Sequence, residues 1–430
     1  MKILFVYPRF FRHAQSNPEL RTFVPMKEYL GSPSLAIAAL VGSTPAHVTW
    51  EYRDDRLEDA ARPTDADVVA LTFFTAAASR GLELARYFRA LGKKVVAGGI
   101  FPTMMPDEVQ PHVDAVVVGE GEPVWARILD DVAAGTLQPR YTPGPADVAT
   151  LAPPQLRPYF DAERGDFCPD DYPLQVSRGC PLTCQACALP TVMGKKMRAL
   201  PMPYILDVAQ QIIAGGRRAC LTEDTGWLPG TEGSRRLLEL LEHLAATGSP
   251  LKISYIGISM AMILAAPPRW FELARAAGVE MFYLVGGFDP VTMRAFTGND
   301  ERQLERAHKA IAKCFEADIE PYTSFLYGQD DDDVGTVDRM LEFARASGIR
   351  KAEFAIFTPY PGTPSFKRLE AEGRITSREW RRYNDANCVY QPKQLTADQV
   401  TEGYLRLWRE FYADKSYFQD RCHDERTIQF

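Results

Sequence analysis

The stretch "VSRGCPLTCQACALP", residues 176–190, sets Cys180, Cys184 and Cys187 in a C-x3-C-x2-C spacing. Thiolates this close in sequence can converge on one metal site, and Gly179 and Pro181 favour the tight turn that convergence needs. Structural zinc closes its sphere with four ligands. A [4Fe–4S] cluster ordinarily takes four cysteines. Three thiolates therefore leave one metal position open. Two other readings compete at this point: Cys168 or Cys220 completes a zinc site, or the thiols are small core side chains.

Working outward, both flanks alternate strand and helix. Upstream, "KILFVYP", "VTWEYRDD", "ADVVALTFFT", "KKVVAGGIFPT" and "HVDAVVVGEGE" read as strands, with helices at "SPSLAIAALVG", "SRGLELARYFRALG" and "PVWARILDDVAAG" between and after them. Continuous Val/Ile/Ala strands separated by helices indicate a parallel sheet covered on both faces. Ligands in such sheets sit beyond the carboxyl ends of the strands. Downstream, "LQVSR", "RACLTED", "LKISYIG", "VEMFYLVGG", "IEPYTSFLYG" and "KAEFAIFTPY" are the strands of six β/α units, enough for an open, partial barrel but not an eight-fold one. The cysteines follow the first of these strands, at the carboxyl end where barrels gather function.

The expected class is α/β. A Rossmann-like parallel sheet occupies 1–138, a Pro-rich linker 139–173, a partial (β/α)6 barrel 174–374 and an aromatic-rich helical region 375–430. Asp330 to Asp333 read as a solvated loop that caps a helix from Val334.

The chain has 430 residues, 46% of them hydrophobic and 24% charged, with a net charge of −7. That composition supports a sizeable core and argues against nucleic acid as the main partner. Lys195, Lys196 and Arg198 are a local basic patch. No run is long enough for a transmembrane helix and "MKILFVYP" is too short for a signal peptide. A cytoplasmic setting is expected, where clustered thiols bind metals rather than form disulfides.

"SRGCPLTCQAC" at the first strand of a partial barrel resembles the radical S-adenosylmethionine (SAM) superfamily. The runs "DVVALTFFTAAASRGLELARYFRALGKKVVAGGIFPTMMPDEV" and "DAVVVGEGE" resemble the cobalamin-binding domain fused to some of its barrels. "CLTEDTGWL", "EMFYLVGGFDPVTMRAF", "SFLYGQDDDD" and "FAIFTPYPGTPSFKRLEAEGRI" extend the resemblance to about residue 375. The branch is the one that holds hopanoid and bacteriochlorophyll methylases and the anaerobic cyclase of chlorophyll synthesis.

The resemblance implies Cys180, Cys184 and Cys187 as ligands of a [4Fe–4S] cluster whose open iron chelates SAM. One electron from a flavodoxin- or ferredoxin-type donor then yields a 5′-deoxyadenosyl radical that takes hydrogen from unactivated carbon. It also implies SAM contacts at Glu223 and Asp224 (amino group), Gly286 and Gly287, and Pro359 and Tyr360. It implies a cobalamin slot lined by Thr72, Thr75, Gly98, Gly99, Thr103, Gly119 and Gly121. No D-x-H-x-x-G is present, so His13, His47 and His112 are read as surface or packing residues, with no histidine on cobalt. The aromatic residue usual before the last cysteine is Ala186 here.

The implied reaction is methyl transfer to an unactivated carbon of a small-molecule biosynthetic intermediate. Oxidation, cyclisation, rearrangement and aminocarboxypropyl transfer from SAM are the rival reactions, and a zinc- or corrinoid-binding module without catalysis is the rival of another class. No catalytic side chain is assigned from the sequence.

Overall fold

The computed structural model describes residues 1–23, 34–163, 169, 171–221, 230–285 and 300–413. Its first sheet is six-stranded and parallel. The strands are β1 (Lys2–Tyr7), β2 (Thr49–Asp54), β3 (Val68–Thr72), β4 (Lys94–Gly98), β5 (Ala115–Val117) and β6 (Arg140–Tyr141). The spatial order is β2-β1-β3-β4-β5-β6, so the winding direction switches at β1. A crevice opens at such a switch, beyond the carboxyl ends of the strands. Ile3 to Val6 and Val68 to Val69 are wholly buried, as strands covered on both faces require.

The second sheet is also six-stranded and parallel. Its order is β7 (Asp171–Leu174), β10 (Arg218–Leu221), β11 (Ile253–Ile258), β12 (Val279–Val285), β13 (Glu320–Tyr327) and β14 (Lys351–Ile356). Among the described residues β14 and β7 do not pair, so the barrel is open. Its helices follow from leucine spacing. In Glu232–Thr247, Leu237, Leu240, Leu241 and Leu244 are buried on one face. Thr231 accepts a hydrogen bond from the Ser234 N–H at its start, and Gly248, at φ 58°, ends it in the left-handed region.

A two-stranded antiparallel ribbon, β8 (Ser177–Arg178) with β9 (Arg198–Ala199), stands apart from both sheets and carries the cysteine loop between its strands. This corrects the sequence reading, which ran a single strand through "LQVSR". The barrel strand ends at Leu174, and residues 177–178 turn away to pair with β9. β6 lies inside the stretch read as linker, and β7 begins inside it. Pro173 concealed β7, but β7 is an edge strand, where a missing N–H is tolerated.

Two further readings change. The helix expected from Val334 begins at Thr336. Asp332 instead folds its loop back, accepting from the Gly328 and Gln329 N–H groups at 2.8 Å each, while Asp333 accepts from Gly335. Burial pushes the Asp332 carboxyl up to about 6. Among its described residues the tail is helical only at Ala397–Phe411, with a single 3-10 turn at Trp380–Arg382 before it. Its described aromatics pack into the core. Trp380 packs on Phe101 of the first sheet's layer, and Trp408 packs edge-on against Phe354 of β14.

The same tail closes the open edge of the barrel. The Tyr412 hydroxyl donates to the Ala352 carbonyl (2.6 Å) and accepts from the Ala352 N–H (3.2 Å), and the Ile356 N–H donates to the Asp385 carbonyl (2.6 Å). Edge strands leave such groups unpaired unless something covers them. Tyr412→Phe strands both Ala352 groups in a buried place. Urea unfolding is expected to show a loss of about 1–3 kcal/mol, and an unchanged midpoint would contradict this role of the tail.

Candidate active site

The cysteine loop hangs from the ribbon by backbone contacts. The Cys180 N–H donates to the Gly194 carbonyl at 3.0 Å, and the Cys187 N–H to the Cys184 carbonyl at 3.3 Å. Gly179 sits at φ 91°, and a Cβ there would lie 2.2 Å from the Lys196 carbonyl oxygen. Only glycine permits that approach. None of the three is in a disulfide; Cys180 is buried and Cys184 and Cys187 are half-buried. Burial first, and the Cys180 thiolate second, raise the Cys184 thiol, so these two sulfurs feel each other. Neighbouring thiolates of this kind suit a cationic cluster, which deprotonates its ligands.

Among the described residues no group of three His, Cys, Asp or Glu closes around a single metal ion. A cubane binds its thiolates on separate irons, and the three-cysteine donor set fits that arrangement. The zinc alternative loses Cys220, which is buried on β10 with its thiol pushed up to about 12 by burial. Cys168 lies outside the described residues.

The loop touches the rest of the barrel top. The Ser365 N–H, beside the "TPYPGTP" run, donates to the Gln185 carbonyl at 2.9 Å. Pro359 is buried. Tyr360 is held from behind, its hydroxyl donating to both oxygens of Asp385 at 2.8 Å. Burial pushes Asp385 up to about 6. Glu223, Asp224, Gly286 and Gly287 lie outside the described residues.

A cavity of about 580 Å³ opens at the switch in the first sheet. Phe5 and Tyr7 of β1, Thr72 of β3, Gly98 of β4, Gly99, Gly119 and Gly121 line one side, and Gln175, Arg178, Cys220 and Tyr255 the other. Gly99, at φ 98°, admits no Cβ, which would fall 2.7 Å from Thr72 Oγ1. Thr75 and Thr103 are not part of this lining. Thr75 is buried at the start of a 3-10 turn. Thr103 Oγ1 accepts the Gly119 N–H at 3.0 Å and so shapes the loop instead. The cradle of Gly98, Gly99, Gly119 and Gly121 fits a group that approaches backbone closely, as the cobalamin reading requires.

Of the histidines, His13 is half-buried with its Nδ1 2.9 Å from the Tyr404 hydroxyl, and loss of solvent around it lowers it to about 4. Burial also lowers His112.

The sequence reading missed Glu120, Glu122 and Arg178 between the cavity and the cysteines, and it placed Arg198, which joins them, in a local basic patch. Arg178, two residues before Cys180, donates to Glu120 (2.9 Å) and Glu122 (2.8 Å), and Arg198 reaches Glu120 at 2.7 Å. Glu120 is 2% exposed and Arg178 6%. Burial alone would lower the Arg178 pKa, but Glu122 and Glu120 outweigh it and hold the guanidinium charged. Removing one partner of such a pair costs about 3–5 kcal/mol, because the other charge is left stranded. The only sequence signal was the alternation of glycine and glutamate in "GEGE".

The comparisons agree with this geometry. Residues 40–129 match the B12 binding domain family, and residues 363–427 match a domain of unknown function, DUF4070. The cavity at the sheet's switch point thus lies in the part of the chain that matches a B12 binding domain, and it faces a partial barrel that carries a three-cysteine loop. The chain is homologous to the bacteriochlorophyllide d C-12(1)-methyltransferase of Chlorobaculum tepidum, at 27% identity over 391 residues, which are 88% of this chain and 82% of that one. It is likewise homologous to the C-8(2)-methyltransferase of the same organism, at 26% over 401 residues, covering 87% and 86%. A hopanoid C-2 methylase and an anaerobic magnesium-protoporphyrin IX monomethyl ester cyclase are more distant relatives. The fold matches TsrM, a radical SAM methyltransferase from Kitasatospora setae solved with cobalamin and a [4Fe–4S] cluster. The TM-score is 0.62 at 15% identity, covering 88% of this chain and 79% of that one.

Two predictions follow from the geometry. Gly179→Ala forces the cysteine loop off the Lys196 carbonyl. Iron content after anaerobic reconstitution is expected to fall below about half of wild type, with a stability loss of at least about 1–3 kcal/mol; full iron loading would refute the constraint. Asp385 binds its proton more tightly folded (about 6) than its ordinary value of 3.8. Its contribution to stability is therefore complete below about pH 4 and is lost as pH rises through 6. Asp385→Asn, which still accepts from Tyr360, is expected to exceed wild type by roughly 2–3 kcal/mol above pH 7. That advantage vanishes near pH 4 in thermal unfolding. A gain independent of pH would show that the carboxyl does not titrate as described.

Proposed function

We propose that this enzyme methylates an unactivated carbon of a small-molecule biosynthetic intermediate. The observation that carries the reading is the single cavity in which both halves meet: the glycine cradle of the B12 binding domain forms one wall, and Arg178, two residues from Cys180, stands in the other. When bound, the cluster with SAM supplies a 5′-deoxyadenosyl radical, and methylcobalamin supplies the methyl group. The protein's own part is placement. Cys180, Cys184 and Cys187 hold the cluster, and Gly179 lets their loop seat against the ribbon. Gly98, Gly99, Gly119 and Gly121 admit the corrinoid's nucleotide loop beside Thr72. Pro359 and Tyr360, with Glu223, Asp224, Gly286 and Gly287, receive SAM. Two of the relatives are bacteriochlorophyllide d methyltransferases, and the apolar cavity wall of Phe5, Phe73, Phe74 and Trp125 suits a large, partly apolar corrinoid or substrate.

The electron arrives from a flavodoxin- or ferredoxin-type donor. Pro181, Leu182 and Thr183 of the cysteine loop and the neighbouring Lys195 and Lys196 are exposed, which leaves the loop within reach of an acidic partner. No helix among the described residues is long and apolar enough to cross a membrane, in keeping with a cytoplasmic setting for reduced thiols.

The test is oxygen-free reconstitution with iron, sulfide and cobalamin, followed by product analysis. About four irons per chain are expected, and Cys184→Ala is expected to lose them. Turnover is expected to release 5′-deoxyadenosine together with S-adenosylhomocysteine. Release of 5′-methylthioadenosine would instead indicate aminocarboxypropyl transfer, and 5′-deoxyadenosine without S-adenosylhomocysteine would indicate oxidation or ring closure.

A further inference from the structure

Glu120 stands on the loop after β5, between two glycines that face the cavity. On the side of the first sheet that loop is fixed: the Gly119 N–H donates to Thr103, and a Cβ on Gly121 would lie 3.3 Å from Leu40. On the barrel side the same carboxylate takes Arg178 and Arg198, one from each strand of the ribbon. Those two strands are the two ends of the cysteine loop. Arg198 also donates to the Met193 carbonyl at 2.7 Å, one residue before the Gly194 carbonyl that takes the Cys180 N–H. The Ala146 backbone completes the knot, its carbonyl accepting from Arg198 at 2.7 Å and its N–H reaching Glu120 at 3.3 Å. Glu120 and Arg178 are almost wholly buried, and Glu122 and Arg198 are each 11% exposed. A ligand that shifts the 119–122 loop cannot leave the arginines behind without stranding a buried charge.

We propose that Glu120 is a positioning residue that couples the two cofactor sites: through Arg178 and Arg198 it makes the corrinoid's affinity depend on the cluster, and the cluster's on the corrinoid. The inference rests on the cofactor assignments of the preceding subsection. Coupling of this kind is reciprocal, and its size is read as a ratio of affinities. A clamp with a structural role alone would stabilise the fold and leave that ratio at one.

The experiment titrates hydroxocobalamin, without oxygen, into the full-length protein with and without a reconstituted cluster. Dissociation constants are read from the corrinoid spectrum. Wild type is expected to show a ratio of at least about five-fold between the two forms, and Glu120→Gln to bring it below about two-fold. Should Glu120→Gln fail to fold, the charge-balanced pair Glu120→Gln with Arg198→Met decides the matter, since it removes one acid and one base together and keeps Arg178 on Glu122. A wild-type ratio near one, or a folded variant that keeps the wild-type ratio, overturns the coupling. Wild type that takes up iron but no corrinoid overturns the cofactor reading itself, a distinct and recognisable outcome.

Discussion

Charge buried between two sheets must be matched where it lies, and in this protein the match spans the chain's two halves. Glu120 and Glu122 come from the B12 binding domain, and Arg178 and Arg198 from the ribbon that bears the cysteines. Neither half can keep its charges buried alone, because an unpaired guanidinium or carboxylate in such a place is strongly disfavoured. These pairs tie the glycine loop directly to the cysteine ribbon, beside the contacts that the proline-rich connection and the tail supply. Reactions that pass a radical from one cofactor's neighbourhood to another need such fixed placement, since a misplacement of an ångström is felt in the rate.

Much of the architecture is legible in the sequence because it rests on local rules. Parallel strands announced themselves as continuous apolar runs in β1, β3 and β4, and helices as leucines at helical spacing in Glu232–Thr247. The cysteine spacing and the glycine pairs were visible as chemistry that needs particular residue types. What stayed hidden depended on the tertiary partner. β7 looked like linker because its proline is acceptable only at an edge, and nothing local says that β7 is the edge. Asp332 looked solvated because charge runs usually are, yet it folds inward onto the Gly328 and Gln329 N–H groups. Thr75 and Thr103 had the right chemistry for a nucleotide slot and the right loops, but Thr103 spends its oxygen on Gly119. The Glu120–Arg178 pair joins residues 58 apart in sequence, and one sequence offers no signal for a pairing at that range.

The tail shows the same dependence on distant partners. Its described aromatics pack into the core: Trp380 enters the layer behind the first sheet, while Trp408 and Phe411 pack on Phe354 at the far edge of the second. Asn384 reaches back to the Phe11 carbonyl and to Ser16, and Tyr404 reaches back to His13. The aromatic segment therefore belongs to both sheets at once.

That arrangement bears on how the protein is made. The hydroxyl of Tyr412 satisfies the outermost barrel strand, yet it is synthesised only after all fourteen strands described above have emerged. Until it arrives, the nascent barrel carries a raw rim with hydrogen-bonding groups open to any neighbouring chain. Phe11, His13 and Ser16 likewise wait for their partners at 384 and 404. Translation thus delivers this cover after the strand it closes, and a stall or nonsense codon in between would release a polypeptide whose exposed rim invites aggregation.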